Sequence, residues 1–313
     1  MNVFGPVPSR RLGKSIGINN IPPKICTYAC VYCQLGRALK MTADRQPFYS
    51  PLKLLAEVRE KIKNTTANHE SIDYLTIVSD GEPTLDQNLG QLLELLKSLD
   101  IKTAVITNAS LLNRSDVRDD LAKADWVSVK VDSVVEPIWR KTNRPLRRLN
   151  LEQILAGIQT FARNFQGQLT TETMLVQAIN TAPHQLTKTA QFLQTVQPDI
   201  AYLSIPTRPP AETWANAPAE NIINQAYQIF ADTLPNVEYL IGYEGNKFAY
   251  TGDIEADILS ITAVHPMRED AIQAYLKKAG GDFSTIKNLI DQDQIIVQEY
   301  QNNRFYLRKL SAL

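Results

Sequence analysis

The cysteines of this chain are Cys26, Cys30 and Cys33, and all 3 fall in one run, Cys26-Thr27-Tyr28-Ala29-Cys30-Val31-Tyr32-Cys33. Scattered singly, free cysteines read as small buried hydrophobes. Gathered in one loop, they read as a ligand set. Their odd number argues against a disulfide framework. A structural zinc site normally wants four ligands, and the nearest histidine, His69, lies far down the chain. Three thiolates at this spacing suit three irons of a 4Fe–4S cluster and leave the fourth iron without a protein ligand. An open coordination position is where a metal site takes substrate or cofactor.

The elements that must carry this loop alternate. Short runs rich in β-branched or aromatic residues read as strands at Ser15–Asn19, Tyr74–Val78, Thr103–Thr107, Trp126–Val131, Leu169–Val176 and Ile200–Ile205. Helix signals lie between them. Ser50-Pro51 is a start signal for a helix through Leu52–Lys63, and Leu85–Leu99 carries an apolar stripe. Leu151–Asn164, His184–Thr195 and Ala219–Leu234 complete the pattern. Such βα alternation predicts a parallel sheet with crossover helices, closed or open, and chemistry at the C-terminal strand ends. The tail differs: helices over Ala256–Val264, Arg268–Lys278 and Ser284–Asp291 precede a hairpin of Ile295–Tyr300 and Arg304–Arg308. That order resembles a small winged-helix-like α+β module over 251–313, against the plainer reading of terminal helices packed on the main domain. Lys+Arg and Asp+Glu are both 33, so global charge makes no case for nucleic acid or membrane. No apolar run approaches a membrane span, and no signal-peptide core is present, so a reducing cytoplasm is expected.

CxxxCxxC with an aromatic residue just before the last cysteine resembles the cluster loop of the radical S-adenosylmethionine (radical SAM) superfamily. The stretch Val3-Phe4-Gly5-Pro6-Val7-Pro8-Ser9-Arg10-Arg11-Leu12-Gly13 is similar to a subgroup often labelled wyosine-synthase-like. The resemblance covers residues 1–250. It implies an α/β partial (β/α)6 TIM-type barrel. It also implies S-adenosylmethionine chelated to the open iron, its sulfonium cleaved by one electron, and a 5′-deoxyadenosyl radical that takes hydrogen from a substrate. A reductant such as flavodoxin or ferredoxin is implied by the electron.

Residue by residue, the resemblance makes Cys26, Cys30 and Cys33 the cluster ligands. Ser79-Asp80-Gly81-Glu82-Pro83 is similar to the segment whose backbone and glutamate hold the methionyl amine, with Asp80 where the family has a glycine. Asn108 stands where the family often has an asparagine near the cofactor, and is equally an ordinary turn residue. Alternation along Val127–Asp132 puts Ser128, Lys130 and Asp132 on one face. The family likeness makes Ser128 or Asp132 the ribose partner and Lys130 the carboxylate partner. A shift of one residue would turn all three outward. Tyr32 is expected against the adenine. On the next strand the face is open between Thr171 with Thr173 and Glu172 with Met174.

Two features bear on the substrate. The stretch Arg140–Arg148 holds Arg140, Lys141, Arg144, Arg147 and Arg148 and reads as a basic loop at an active-site strand end. Arg10, Arg11, Lys14 and Arg208 would join Arg144 on a rim that attracts anions, with RNA, nucleotide and peptide all open. The alternative is a solvated loop pairing with acidic neighbours. The tail carries 7 Lys/Arg against 9 Asp/Glu from Asp253 to Leu313, a poor grip on duplex DNA. With every cysteine spent, no second cluster is available. Wyosine synthesis and methylthiolation, which need one in this superfamily, are therefore not expected. The rival from another class is a non-catalytic iron–sulfur regulator with a DNA- or protein-binding tail. A zinc-binding fold is the third reading.

Overall fold

A computed structural model describes residues 2–242 and 245–309. In chain order it has β1 (Val3–Ser9), β2 (Gly13–Ile18), β3 (Ile25–Cys26), β4 (Lys40–Met41), α1 (Pro51–Ala67), β5 (Tyr74–Ile77), α2 (Leu89–Lys97), β6 (Lys102–Thr107), α3 (Ser115–Leu121), β7 (Trp126–Lys130), α4 (Glu136–Asn143) and α5 (Leu151–Asn164). There follow β8 (Gln168–Met174), α6 (Pro183–Val196), β9 (Ile200–Ser204), α7 (Glu220–Ala231), β10 (Val237–Leu240), α8 (Ile254–Val264), β11 (Met267–Arg268), α9 (Glu269–Ala279), α10 (Ser284–Asp291), β12 (Ile295–Tyr300) and β13 (Asn303–Arg308).

The main sheet has 8 strands in the order β1-β2-β5-β6-β7-β8-β9-β10. From β2 to β10 all neighbours are parallel, and β1 pairs antiparallel with β2. The strand order follows the chain, so each helix crosses over to the next strand and the sheet curls into a half-barrel, the partial TIM-type α/β fold. The βα units are those expected. The two edge strands are additions. In β1, Pro6 and Pro8 remove ladder donors and break the alternation, which places such a segment at an edge. In β10 only Leu240 is buried, so the strand carries a weak apolar signal.

The faces of the sheet divide by chemistry. Leu75, Ile77, Val105, Val127, Val129 and Leu203 face the helices and join one core with Leu54, Val58, Leu92, Leu93 and Leu96. On the other face, in register across the strands, Ile106 meets Ser128 and Ser128 meets Thr170, while Lys130 meets Glu172 and Glu172 meets Tyr202. The barrel interior therefore carries a charged pair and several hydroxyls among apolar side chains and stays open, where a closed barrel packs branched apolar side chains.

Three helices depart from expectation, α3 being one for which the sequence analysis named no segment. The stretch Leu85–Leu99 is helical only from Leu89, because Asp86 accepts from the Asn88 amide (3.0 Å) after a 3-10 turn over Pro83–Leu85. The first part of the expected basic loop, through Asn143, belongs to α4, with Pro137 in its first turn and Arg144 in the left-handed region as its C-cap.

The C-terminal elements form a 3-stranded sheet, β11-β13-β12, with α8, α9 and α10 around a second apolar cluster that includes Ile258, Ile272, Tyr275 and Tyr306. Phe248 belongs to the same cluster, and Val7 of β1 packs against it. The fastening to the barrel is also polar. The Lys61 ammonium on α1 donates to Asp257 Oδ1 (2.8 Å), whose other oxygen accepts from Tyr275 Oη (2.9 Å) and the Thr251 amide (2.8 Å). Glu70 pairs with Lys14 and with Lys278. No described helix is long and apolar enough to cross a membrane.

Removing one partner of a buried pair leaves a buried, uncompensated charge, at a cost of about 3–5 kcal/mol. Asp257→Ala is therefore expected to lower the guanidinium unfolding midpoint clearly. The double variant Lys61→Met/Asp257→Leu is expected to recover most of the loss. Equal midpoints for wild type and Asp257→Ala would show that the pair does not hold the C-terminal elements to the barrel.

Candidate active site

The cysteine loop leaves the C-terminal end of β2 and is held against the neighbouring loop by backbone contact. The Glu82 amide donates to Ile25 O (3.1 Å), and a Cβ on Gly81 would lie 1.9 Å from that same oxygen. No side chain fits there, so Gly81 lets two backbones meet. Glu82, fully buried, braces the contact. Its Oε1 accepts from the Thr84 amide (3.0 Å), the Thr84 hydroxyl (2.5 Å) and the Thr107 hydroxyl (2.6 Å), and its Oε2 from the Asn108 amide (2.8 Å). Burial raises the Glu82 carboxyl above its ordinary value, against these hydrogen bonds. The Asn108 side chain turns back to Thr27 Oγ1 (2.8 Å) and Cys26 Sγ (3.5 Å). On the far side, the Asn143 amide reaches Cys30 Sγ (3.5 Å) and Asp132 Oδ2 (2.6 Å), and Asp132 also accepts from Tyr32 Oη and the Met174 amide (2.8 Å).

The three thiols open on a cavity of about 380 Å³ that continues into the half-barrel. They lie at partly exposed positions. Burial lifts the Cys26 and Cys33 thiols, and it pushes Cys30 up to about 12. Metal binding must therefore displace protons here. Among the described residues no three His, Cys, Asp or Glu side chains gather closely enough to hold a single metal ion. A cubane presents its irons at separate corners and needs no such convergence. The amides of Asn108, Asn143 and Tyr28 approach the sulfurs of Cys26 and Cys30 as donors, as cluster thiolates require. The donor set fits a 4Fe–4S cluster.

Below the thiols, β7 and β8 project a charged cluster into the cavity. Lys130 Nζ donates to Glu172 Oε1 (3.0 Å) and lies 4.9 Å from the centre of the Tyr32 ring. Ser204 Oγ donates to the same Oε1 (2.9 Å), and Arg11 Nη1 donates to Glu172 Oε2 (2.7 Å). Burial works against both charged groups, but the pairing prevails. Lys130 and Arg11 draw Glu172 well below the carboxylate range, and Glu172 and Asp132 raise Lys130.

Of the expected cofactor residues, Tyr32, Gly81 and Lys130 line the cavity. Glu82, Pro83, Asn108, Ser128 and Asp132 stand behind its wall and hold the lining in place. Ser128 receives Arg11 Nη1 at 3.4 Å, which places Ser128 and Lys130 on the inward face. On β8 it is Glu172 and Met174 that face the cavity. Of the expected basic rim, Arg208 lines the cavity, donating to Gln34 (2.6 Å) and to His265 (3.0 Å). Arg144 and Arg37 both pair with Glu212, Arg140 pairs with Glu136, and Arg148 with Asp44. Arg10 and Arg11 sit in the β1–β2 turn, at the opposite end of the strands from the cysteine loop, so they form no common rim with Arg144. Three lining residues had no signal as site residues: Lys24, His265 and the Asp80 side chain, whose carboxyl burial pushes up to about 7. Glu172 had one, since its parity matches that of Lys130 once β7 and β8 are paired.

Comparison with known proteins agrees with this geometry. The UPF0026 protein MJ1312 of Methanocaldococcus jannaschii is 46% identical over 311 residues, 99% of this chain and 96% of that protein. The structure of TYW1 with a lysine-pyruvate adduct bound superposes with a TM-score of 0.55 at 13% identity, over 70% of this chain and 74% of that one. Streptococcus suis SuiB bound to its precursor peptide SuiA gives 0.53 at 15% identity, over 71% of this chain and 48% of that one. At such identities the two structures share the fold alone. Residues 20–190, more than half of the sequence and the part that holds the thiol loop, Gly81, Lys130 and Glu172, match the Radical SAM superfamily, and the chain belongs to it.

Proposed function

We propose that this radical SAM enzyme carries a single 4Fe–4S cluster on Cys26, Cys30 and Cys33 and uses S-adenosylmethionine to abstract hydrogen from an anionic substrate. The observation that carries the reading is the placement of three thiols, two of them met by amide donors, on a cavity whose wall presents Lys130. When bound, cluster and cofactor supply the electron and the 5′-deoxyadenosyl radical of the superfamily's chemistry. The protein's own part is to position and shield. Lys130 offers an ammonium to the cofactor carboxylate, and the Tyr32 ring offers a face to the adenine. Gly81 brings the β5–α2 backbone close to the loop, and Glu82, Asn108 and Asp132 act as positioning residues behind it. The electron comes from a donor of the flavodoxin or ferredoxin class. The winged-helix-like tail serves as a wall or docking element. Its net negative charge weighs against duplex DNA.

Anaerobically reconstituted wild type is expected to show the broad visible absorption of a cubane and to release 5′-deoxyadenosine with dithionite and S-adenosylmethionine. In Cys30→Ala both are lost. If wild type never releases 5′-deoxyadenosine while DNA binding follows cluster oxidation, the protein is a regulator and the enzyme reading fails.

Lys130→Ala is expected to keep its iron and sulfide and to bind S-adenosylmethionine about tenfold or more weakly, the worth of a hydrogen bond to a charged group. Calorimetric titration reads this directly. Unchanged affinity would remove Lys130 from the cofactor site.

A further inference from the structure

Glu172 divides its two oxygens between two cations. Oε1 takes Lys130, on the side of Tyr32 and the cysteine loop, and Oε2 takes Arg11, from the β1–β2 turn. Lys130 is assigned above to the cofactor. Arg11 has no role there, yet it is the better anion receptor. Its guanidinium carbon lies 5.7 Å from the centre of the Trp126 ring and 5.9 Å from that of Tyr202, so aromatic rings flank it. It spends Nη1 on Glu172 and Ser128, while Nε and Nη2 have no hydrogen-bond partner among the described residues and are not sealed from the cavity. A guanidinium anchored through Nη1, with Nε and Nη2 to offer, can bind a carboxylate or phosphate bidentately.

The cavity around it has the matching sign. Arg10, Arg11, Lys24, Lys130 and Arg208 line it against Asp80 and Glu172. It is also confined. The β1 hairpin closes one side, and the C-terminal elements close it further through His265, which lines the cavity, and through Tyr300 Oη, which donates to Pro206 O (3.2 Å). Small-molecule sites run from about 300 to 1,000 Å³. At about 380 Å³ this one is at the small end, and it must also admit the cofactor. A cavity of this size suits small molecules and has no room for a folded chain.

We propose that Arg11 binds the carboxylate or phosphate group of a small anionic substrate at the hairpin end of the cavity, with Glu172 separating it from the cofactor's carboxylate at Lys130. The inference rests on the radical SAM reading for the cofactor end of the cavity.

The test is calorimetric titration of the reconstituted, S-adenosylmethionine-saturated full chain with inorganic phosphate, with malonate, and with a short single-stranded RNA. At least one of the two small anions is expected to bind once per chain, phosphate marking a phosphoryl substrate and malonate a carboxylate. Arg11→Lys keeps the charge opposite Glu172 and loses the fork. It is expected to weaken that binding about tenfold while the cofactor affinity stays within about twofold. Arg11→Gln is expected to abolish anion binding. Should Arg11→Gln fail to fold because Glu172 is left half-paired, Arg11→Lys decides alone. The proposal is overturned if neither anion binds, or if Arg11→Lys binds as tightly as wild type. RNA binding that depends on Arg11 overturns it as well. Failure of the underlying reading shows separately, as absent 5′-deoxyadenosine from wild type, because anion binding can be read on the same preparation without cofactor.

Discussion

A carboxylate buried among cations keeps the interior of this half-barrel open. Glu172 lies on the inner face of the sheet, where a closed barrel would pack branched apolar side chains. Its charge is tolerable there because Lys130, Arg11 and Ser204 converge on it, and theirs because Glu172 is there. Buried ion pairs replaced by apolar groups of like volume often leave a fold as stable or more so. Stability alone does not account for such a cluster. What it provides is a lumen that cannot collapse, since closing it would bury the remaining donors of Lys130 and Arg11 without acceptors. The cavity follows from the electrostatics of one residue pair in register.

The cysteine loop is fixed by a different means. It contains almost no regular structure, only the 2-residue strand Ile25–Cys26, so its shape comes from outside. Three neighbouring loops supply it. Gly81 admits the backbone, Glu82 gathers the ends of β5 and β6, and Asn143 reaches in from the end of α4. Gly81 and Glu82 belong to the β5–α2 connection and Asn143 to the segment after β7, so more than one βα unit shapes the loop. Support of this kind from neighbouring elements is what holds a functional constellation to its geometry.

Much of this was legible in the sequence, and the limits have physical causes. The βα units were readable because each strand is a short apolar run between an amphipathic helix and a turn. The inward face of β7 was readable because alternation leaves Ser128, Lys130 and Asp132 together, and a lysine in a core is costly enough to be a signal. β1 was not readable, since two prolines hide an edge strand. The roles of Glu82 and Asn108 were visible as a motif but not as geometry. Whether a carboxylate faces a ligand or braces the loop behind it depends on a rotation that no local pattern encodes. The basic stretch through Arg148 misled for a related reason. Charge density is sequence-local, whereas the acids that neutralise it, Asp44 and Glu212, come from far along the chain.

The C-terminal elements make the same point at larger scale. Helices and a hairpin form a small unit with its own sheet and apolar cluster, and what the sequence does not display is how that unit packs on the barrel. In the fold they complete the barrel on the side where β1 runs against the direction of every other strand. Phe248 and Val7 share the second apolar cluster, Lys61 buries its ammonium against Asp257, and His265 meets Arg208 in the cavity wall. A half-barrel with an open flank exposes its radical chemistry to water and to side reactions, and a flank closed by a separate element excludes both. Because that element contributes a wall and not a ligand to the thiol loop, the size and sign of the substrate chamber can change with the tail while the cluster end stays constant. On the function proposed above, the superfamily's chemistry belongs to the βα units and the choice of substrate to the hairpin and tail that enclose them.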